Sequence, residues 1–320
     1  MKRFKQIITI FSSLLSLCSC NNTEVNRIAL FAYTKTDPFL NSLVDSISNN
    51  FSKYYKVDVF YASNDQSIQN EQIAIAVNSA SYSAFIVNLC DRMVANTIVK
   101  KCQTTNKPLI FFNRAPEESV IEQNPLCYFV GTDASAEGNQ QATIVKQLFN
   151  YNAEDIYGSK YDFNNDGKLS TLILKGEIGH QDAELRTNSA ISSLNNFNIE
   201  YAGVSVCNWI RGEAYAALNE LGDKAKDIEL IISNNDEMAI GAANYFESIN
   251  STRSPIIIGV DCTVDGKKAV DEGKIAGTVV NDSIKQAEYI YNIAIDLLSK
   301  GSTSYSKNTY SKSEIYVKKQ

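Results

Sequence analysis

Beyond its first twenty residues the sequence lacks any long apolar run. No stretch there approaches the roughly 18 consecutive apolar residues that a membrane-crossing helix needs. The rest of the chain is therefore predicted to be a water-soluble body. The sequence also lacks an excess of positive charge, since its net charge at pH 7 is −6. An acidic body offers no electrostatic surface for nucleic acid, which argues against a DNA- or RNA-binding function.

The sequence contains no C-x-x-C pair, the spacing typical of metal and redox sites. Five of its seven cysteines remain when the two near the N-terminus are set aside, namely Cys90, Cys102, Cys127, Cys207 and Cys262. Exported proteins usually pair their cysteines, and an odd number cannot be fully paired. We therefore expect most of the five to be buried as small hydrophobic residues.

The first twenty residues resemble a bacterial lipoprotein signal. A basic segment at residues 2–5 precedes an apolar run at 7–17 that is interrupted only by Thr and Ser. A run of about 11 residues is too short to span a bilayer and fits the apolar part of a signal peptide. The run ends in LCSC, which is similar to a lipobox and implies cleavage after residue 19 and lipidation of Cys20. A plain secretory signal with incidental cysteines is the alternative.

The chain that would remain, about 300 residues, is longer than one hydrophobic core usually serves, so two domains are expected. Short apolar runs alternate with longer amphipathic stretches. Strands are predicted at residues 28–33, 57–61, 84–88 and 109–112 and, after residue 133, at 171–175, 201–206, 230–233, 256–260, 277–280 and 314–318. Helices are predicted at residues 39–53, 66–80, 92–105, 134–150, 183–195, 212–221, 237–249, 264–272 and 283–299.

This alternation predicts an α/β fold made of two doubly wound parallel-sheet lobes. The predicted strands are almost continuous apolar runs, which is typical of a parallel sheet covered on both faces. Residues 301–310 are rich in Ser, Lys, Thr and Tyr and are predicted to form a polar surface loop before the last strand. Ligands of such sheets bind beyond the carboxyl ends of the strands, so two facing lobes would line a cleft with those ends.

Polar and aromatic residues cluster where the predicted strands end. Asp37 and Phe39 follow the first strand, and Asn113 follows the fourth. The second half of the chain contributes His180, Asp182, Arg186, Trp209, Asn235, Asp261 and Asn281. Taken singly, an Asp or Asn at the end of a strand is more often a helix N-cap. Ten such residues at the expected strand ends, within motifs that match those of a known family, favour a binding site.

The segments FFNRAP, VGTD, LILKGEIGHQDAELR, ISNNDEMAIG, IIIGVDC and GTVVND closely resemble those of the bacterial periplasmic galactose/glucose-binding proteins. The resemblance runs from about residue 27 to about residue 300. It implies a type I periplasmic binding protein fold, in which a hinge of three crossing strands joins two lobes. It also implies that the ten residues given above contact the sugar, since each has the residue type that the family uses at that position.

We divide the chain accordingly into four parts. Residues 1–19 are the predicted lipoprotein signal peptide, and residues 20–26 are the anchor linker. Residues 27–131 together with 284–312 form the predicted N-terminal lobe. Residues 132–283 together with 313–320 form the predicted C-terminal lobe.

The chemistry of the ten side chains suits a pyranose. Each hydroxyl of a sugar both donates and accepts, and the planar groups of Asp, Asn and Arg match neighbouring hydroxyls in pairs. Phe39 and Trp209 would cover the partly apolar faces of the ring, one from each lobe. Arg186 would neutralise Asp182 or Asp261 in a site that excludes water.

A second site is predicted in the segment DFNNDGKLS, residues 162–170. Its alternating oxygen side chains, with Gly at the sixth position, match the first two-thirds of an EF-hand Ca²⁺ loop. The Glu expected at the twelfth position is missing, because Ile173 stands there. The galactose/glucose-binding proteins complete a similar half-loop with a remote Glu. That resemblance implies a structural Ca²⁺ held by Asp162, Asn164, Asp166, the Lys168 carbonyl, Ser170 and Glu229.

Ser170 departs from the family, which has a longer Gln at this position, so weaker metal binding is expected. The alternative for the whole segment is a solvated turn rich in Asn and Asp, without a metal.

The sequence therefore predicts a lipid-anchored extracytoplasmic protein that captures D-galactose or D-glucose and is not an enzyme. The resemblance implies that the lobes close around the sugar and that the closed form docks on the permease of an ABC transporter, which works with an ATPase. Contact with the membrane is expected through the anchor only, and no nucleic acid partner is expected. A chemoreceptor partner and the choice between galactose and glucose are left open.

Three other functions compete with this interpretation. A sugar-responsive transcription regulator can use the same lobes, but it would need a DNA-binding segment where the signal peptide stands. A glycosidase would use paired carboxylates such as Asp37 and Asp182. A binding protein for a pentose or a nucleoside would differ only in the details of the cavity.

Overall fold

The computed structural model describes residues 26–318. In this part of the chain the strands are β1 (Arg27–Ala32), β2 (Lys56–Tyr61), β3 (Tyr82–Val87), β4 (Leu109–Phe112), β5 (Cys127–Thr132), β6 (Leu169–Lys175), β7 (Ile199–Val206), β8 (Leu230–Ser233), β9 (Ile256–Asp261), β10 (Gly277–Val280), β11 (Asn308–Ser311) and β12 (Glu314–Val317).

Helices follow nearly every strand. They are α1 (Pro38–Phe51), α2 (Gln66–Asn78), α3 (Ala95–Gln103), α4 (Glu118–Glu122), α5 (Ala134–Leu148), α6 (Gln181–Leu194), α7 (Arg211–Leu221), α8 (Asp236–Ser248), α9 (Val264–Asp271) and α10 (Ser283–Lys300). Short 3₁₀ turns lie at Arg92–Val94, Ala153–Ile156 and Gly222–Asp227.

The strands form two six-stranded sheets of the same design. The first has the order β11-β5-β4-β3-β1-β2, and the second has the order β12-β10-β9-β8-β6-β7. All neighbours run parallel except β10 and β12, which are antiparallel. In each sheet the chain starts at an inner strand, β1 or β6, and winds outwards in both directions. The cleft beside such a starting strand is where doubly wound sheets bind ligands.

Both faces of each sheet are covered by helices, which explains the continuous apolar strands. Successive residues of a strand point to opposite faces. Ile28 and Leu30 of β1 therefore enter one hydrophobic cluster, while Ala29 and Phe31 enter another on the other side of the sheet. The second sheet repeats the arrangement with its own two clusters. The predicted α/β fold of two parallel-sheet lobes is confirmed.

The chain passes between the two sheets three times: from β5 into α5, from β10 into α10, and from β11 to β12. Helix α5 packs on α6 and β9 of the second sheet, and α10 packs on α1 of the first. Asp133 and Asp282 stand at the first two crossings, where their side chains cap α5 and α10. Three adjacent crossings form the segment about which two lobes can rotate.

Two strands differ from the expectation. No strand is predicted from the sequence at Cys127–Thr132, yet β5 lies there. Gly131 disfavours a strand when the sequence is considered alone. In the structure a Cβ at this position would lie 2.5 Å from the Phe129 ring, so the packing of β5 favours Gly. The predicted surface loop 301–310 was wrong at its end, because Asn308–Ser311 forms β11 on the edge of the first sheet. Its polar sequence suits an edge strand that is only partly covered.

The five cysteines of the described chain are unpaired. Cys102, Cys127 and Cys207 are fully buried, as expected, whereas Cys90 and Cys262 are half-buried near the ends of β3 and β9. Burial raises the pKa of Cys102 and of Cys127 to about 12, so both thiols stay protonated and unreactive at neutral pH.

Candidate functional site

One cavity between the lobes is lined by the side chains that follow the strands. All ten residues predicted to contact a sugar line it, namely Asp37, Phe39, Asn113, His180, Asp182, Arg186, Trp209, Asn235, Asp261 and Asn281. Tyr33 and Arg114, which the sequence analysis did not select, line it as well. The space left among these side chains is about 30 Å³. The lobes are therefore closed on one another in this structure, and a hexose can enter only after they part.

The first lobe holds Asp37 on the loop between β1 and α1. One carboxylate oxygen accepts a hydrogen bond from the Leu40 amide at 3.0 Å and so caps α1. The other accepts from the Tyr33 hydroxyl at 2.9 Å. Asp37 thus combines a helix cap with a place in the cavity, and Phe39, two residues later, is 7 % exposed.

The backbone of Asn113 brings its side chain to the cavity from the end of β4. Its φ of 61° is in the left-handed region, which Asn tolerates better than most residues. The side-chain oxygen of Asn113 accepts a hydrogen bond at 3.0 Å from the side-chain amide of Asn88, a fully buried residue. This bond fixes the amide of Asn113 and leaves its own NH₂ group available to a ligand.

In the second lobe the Trp209 ring lies against Gly176, immediately after β6. A Cβ at Gly176 would come within 2.3 Å of the indole, so only Gly permits this position of the ring. The His180 ring meets the indole edge-on, with centroids 5.0 Å apart at 73°. The Trp209 backbone carbonyl accepts a hydrogen bond from the side-chain amide of Asn235 at 3.2 Å. These contacts fix one aromatic wall of the cavity before any ligand arrives.

Arg186 forms a buried ion pair with Glu137, a residue that was not predicted from the sequence. Glu137 of α5 is fully buried, and one of its oxygens accepts from Arg186 Nε at 3.0 Å and from Nη2. The third nitrogen of the guanidinium donates to the Asn234 carbonyl. The expectation that Arg186 neutralises Asp182 or Asp261 is incomplete, because its hydrogen-bonded counter-charge is Glu137.

Burial changes the protonation of the cavity residues. It raises the pKa of Asp182 to about 7, an effect that Arg186 opposes and Glu137 strengthens. It also raises the pKa of Asp261 well above the usual range. The pKa of His180 is lowered by burial and by nearby Arg side chains, so the imidazole is neutral at pH 7. Protonated carboxyl groups and neutral imidazole both donate and accept hydrogen bonds, as a hydroxyl requires.

A second buried acid supports the turn that carries Asp261. The φ angles of Asp261 and Cys262 are 109° and 52°, which is strained for residues with a side chain. Asp236, fully buried behind this turn, accepts hydrogen bonds from the Thr278 hydroxyl at 2.6 Å and the Thr263 amide at 2.8 Å. These bonds tie the end of β9 to β10 and to α8, which stabilises the strained turn.

Arg114 links the two lobes across the cavity. Its guanidinium lies 3.9 Å from the centroid of the Tyr33 ring and donates to the Cys90 carbonyl at 2.7 Å. One terminal nitrogen also donates to both carboxylate oxygens of Glu177 in the opposite lobe, each at 3.1 Å. In the sequence Arg114 stands beside Asn113 at a strand end within the FFNRAP motif, and Glu177 lies within the LILKGEIGHQDAELR motif. Neither position indicated a contact between the lobes, and nothing in the sequence pointed to Glu137.

The predicted metal loop is shaped by Asp162, which is 5 % exposed. Its carboxylate accepts hydrogen bonds from the amides of Gly158 at 3.0 Å, Asp166 at 3.0 Å and Gly167 at 3.2 Å. Asn164 accepts from the Asp166 amide at 3.0 Å. These bonds fold the segment into a tight loop around the Asp162 carboxylate, while Asn164 and Asp166 stay exposed to solvent.

Glu229, the remote residue of the predicted set, lies against this loop. Its two oxygens accept from the Phe163 amide at 2.5 Å and the Ser170 amide at 2.7 Å. Burial raises the pKa of Glu229, and the nearby carboxylates of Asp162 and Asp166 add to the rise. The donor set therefore consists of hard oxygen atoms with uncompensated negative charge, which fits Ca²⁺ in kind.

The same carboxylates are engaged with backbone amides. Among the described residues no three Asp, Glu, His or Cys side chains converge in a geometry ready for a metal ion. Coordination would therefore require Asp162 and Glu229 to turn from the amides towards the ion.

Within residues 26–318 no helix combines the length and the apolar character that a bilayer crossing requires. The predicted signal peptide and the predicted lipidation site Cys20 lie outside the described residues.

The comparisons with known proteins agree with this architecture. Residues 28–302 match the family described as periplasmic binding protein domain. The D-galactose/methyl-galactoside binding periplasmic protein MglB of Haemophilus influenzae is 32 % identical over 304 residues, which cover 93 % of this chain and 89 % of that protein. The ribose import binding protein RbsB of Bacillus subtilis is 23 % identical over 308 residues, covering 92 % of this chain and 91 % of that protein.

Among solved structures, a periplasmic solute-binding protein of an ABC transporter from Actinobacillus succinogenes, with bound D-allose, is similar with a TM-score of 0.79. It is 19 % identical in sequence, and the match covers 92 % of this chain and 98 % of that one. At this identity the likeness concerns the fold, which agrees with the two-lobed fold predicted from the sequence. The chain therefore belongs to the periplasmic binding protein family.

Proposed function

We propose that this protein captures a hexose, D-galactose or D-glucose, outside the cytoplasm and presents it to an ABC transporter. One observation carries the proposal: ten planar polar and aromatic side chains from the strand ends of both lobes line a single cavity between the lobes. Relatives named for galactose and for ribose, at 32 % and 23 % identity, support a sugar as the ligand. The higher identity to the galactose protein favours a hexose.

Recognition would divide between two kinds of side chain. Phe39 and Trp209, one from each lobe, would cover the faces of the pyranose ring. The carboxyl, amide and guanidinium groups would bond its hydroxyls around the rim, and the neutral His180 would serve as a further acceptor or donor. Because this rim is at least half-buried when the lobes close, an analogue that lacks one hydroxyl would leave a protein group without a partner.

Closure of the lobes about the three crossings would enclose the bound ligand. A ligand favours the closed form only through contacts that exist in that form. The Arg114–Glu177 ion pair, at 3.1 Å, joins the two lobes. Arg186, Asp182 and Trp209 of the second lobe would contact a sugar bound to the first lobe only when the lobes meet. Scavenging at micromolar concentration requires about −8 kcal/mol of binding free energy.

We propose binding rather than catalysis. A glycosidase could use Asp37 with Asp182, whose pKa of about 7 would suit a general acid. Asp37, however, already accepts from the Leu40 amide and the Tyr33 hydroxyl, which stabilises it as a hydrogen-bond acceptor and not as a nucleophile. Incubation with galactosides distinguishes the two functions, because an enzyme releases free sugar and a binding protein does not.

Two further features belong to the proposal. Cys20 would carry the lipid that holds the protein at the membrane, and the permease and ATPase of the transporter would be its partners. Ca²⁺ bound by Asp162, Asn164, Asp166, the Lys168 carbonyl, Ser170 and Glu229 would stabilise the second lobe.

Titration of the purified protein with galactose, glucose, ribose and adenosine tests the proposed function. Trp209 is the only tryptophan of the chain, so its fluorescence reports on the cavity directly. We expect the fluorescence to change at micromolar galactose or glucose and to respond less to ribose and adenosine. An unchanged spectrum at millimolar hexose, supported by calorimetry without heat, would refute the proposal.

A further inference from the structure

A second cavity adjoins the central one. The two share Arg114, His180 and Asp182, so only these side chains lie between them. The second cavity is also formed by both lobes, and its other lining residues are Cys90, Asp91, Arg92, Ala115, Glu177, Ile178, Gly179 and Gln181. Its free space is about 170 Å³, against about 30 Å³ in the central cavity. Room for a further chemical group therefore lies beside the central cavity and not within it.

Two polar atoms of this lining are buried without a partner. Arg114 is 7 % exposed, and its Nε has no hydrogen-bond acceptor, although its terminal nitrogens are bonded. The side-chain oxygen of Gln181 is buried without a donor. Both atoms have almost no accessible surface, so a ligand would reach them only after the Arg114 and Gln181 side chains turn towards the cavity. A buried donor or acceptor without a partner favours such a turn when a partner arrives. A ligand hydroxyl can satisfy either atom, because it both donates and accepts.

The second cavity continues to the surface of the protein. A third depression shares Arg92, Ala115 and Gln181 with it and extends to Asn308 and Tyr310 of β11. Tyr310 is 50 % exposed, so part of its ring is open to a ligand in this depression. An exposed aromatic ring beside planar polar groups offers the apolar face and hydrogen-bonding rim that a sugar ring requires.

We propose that the second cavity binds the second sugar ring of a disaccharide whose terminal hexose occupies the central cavity. This inference rests on the proposed function, because the first ring must bind where that function places it. The glycosidic bond would pass between Arg114 and Asp182, which line both spaces. After the Arg114 and Gln181 side chains turn towards the cavity, the second ring would bond Arg114 Nε and the Gln181 oxygen. A longer substituent would leave past Tyr310.

Calorimetric titration of the full chain with monosaccharides and disaccharides tests this inference. The probes are galactose and glucose, with lactose, melibiose, maltose and cellobiose as disaccharides of different linkage. We expect at least one disaccharide to bind within about tenfold of its terminal hexose, since the extra hydrogen bonds of the second ring offset the cost of ordering it.

Two variants locate the second ring. Ala115 lines the second cavity and is absent from the central lining, so Ala115→Trp fills the space that the second ring needs. Gln181→Ala removes the unpaired acceptor without adding bulk, and it keeps the test decisive if the larger change prevents folding. Ser119→Trp, an equally bulky change at an exposed position of α4, is the matched control.

Each result supports or refutes a distinct statement. The inference is supported if Ala115→Trp and Gln181→Ala weaken the disaccharide about tenfold or more while hexose affinity stays within about threefold. It is overturned if the wild type binds hexose but no disaccharide, or if the variants weaken both ligands equally. Absence of binding for every sugar refutes the proposed function itself.

Discussion

Replacing Glu137 by Gln tests the buried charge pair behind the cavity. Glu137 is fully buried and Arg186 is 3 % exposed, and a single oxygen of Glu137 accepts from two nitrogens of the guanidinium. Gln keeps the shape of the side chain and one acceptor but removes the negative charge. Its remaining oxygen can still accept from Arg186, which also keeps the Asn234 carbonyl, but the guanidinium no longer faces a negative charge. The change therefore isolates the charge from the packing.

The expected loss of stability follows from these contacts. Removing one partner of a buried ion pair costs about 3–5 kcal/mol, because the other charge stays buried and uncompensated. Asp182 and Asp261 also raise the pKa of Arg186, so they take over part of the compensation. We expect the free energy of unfolding to fall by about 2–3 kcal/mol in Glu137→Gln. Glu137→Ala should lose more, because it also leaves a void.

The same variant should shift the pH dependence of sugar binding. The charge of Glu137 raises the pKa values of Asp182 and Asp261, so its removal lowers both. The two acids then ionise at lower pH than in the wild type. Hexose affinity that depends on their protonation should therefore change at a lower pH in Glu137→Gln. A purely structural role for Glu137 would not move this profile.

Urea unfolding followed by Trp209 fluorescence measures the first effect, and hexose titration across pH measures the second. Glu200→Gln is the matched control, because the Glu200–Lys168 pair is exposed and its removal should cost less than about 1 kcal/mol. If Glu137→Gln unfolds within about 0.5 kcal/mol of the wild type and its pH profile is unshifted, Arg186 does not depend on Glu137 and the reasoning fails.

Three further predictions concern the cavity and the metal loop. Asp37→Ala should weaken hexose affinity more than about tenfold in calorimetry, because a sugar hydroxyl loses its partner, and near-normal binding would contradict this role. Asp182, whose pKa is raised to about 7, holds its proton more tightly in the folded state than in the unfolded chain, so stability should fall as the pH rises from about 4 to about 7. Asp182→Asn should reduce that slope in urea unfolding, and an unchanged slope would count against the buried acid. Ca²⁺ should raise the melting temperature of the wild type relative to chelator and should not do so in Glu229→Gln; equal melting of the wild type in both conditions would exclude the metal site.

The sequence was informative about the cavity because strand ends are local features. Asp37, Asn113 and Asn235 each follow an apolar run, and parallel strands deliver all their carboxyl ends to one edge of a sheet. Several of these residues also cap helices, as Asp37 caps α1 and Asn235 caps α8. The same side chains therefore cap helices and line the cavity, so the structural and the functional interpretation of these residues do not exclude each other.

The residues that were missed act through contacts between distant segments. Glu137 meets Arg186 across 49 residues of sequence, and Arg114 meets Glu177 across 63. A Glu one turn into a helix looks like an ordinary solvated charge until the packing of α5 on α6 buries it. The edge strand β11 was missed for a related reason, because its polar residues become a strand only through pairing with β5.

The sequence by itself determined the two parallel-sheet lobes and, through motifs that resemble those of a known family, the set of ten candidate side chains. It did so because apolar periodicity, strand-end chemistry and short motifs are properties of short segments. The tertiary structure alone decided how the two lobes meet, which acid compensates Arg186, and where a second cavity lies beside the first. Those features depend on which surfaces become buried together, and burial is decided by the packing of segments far apart in the chain.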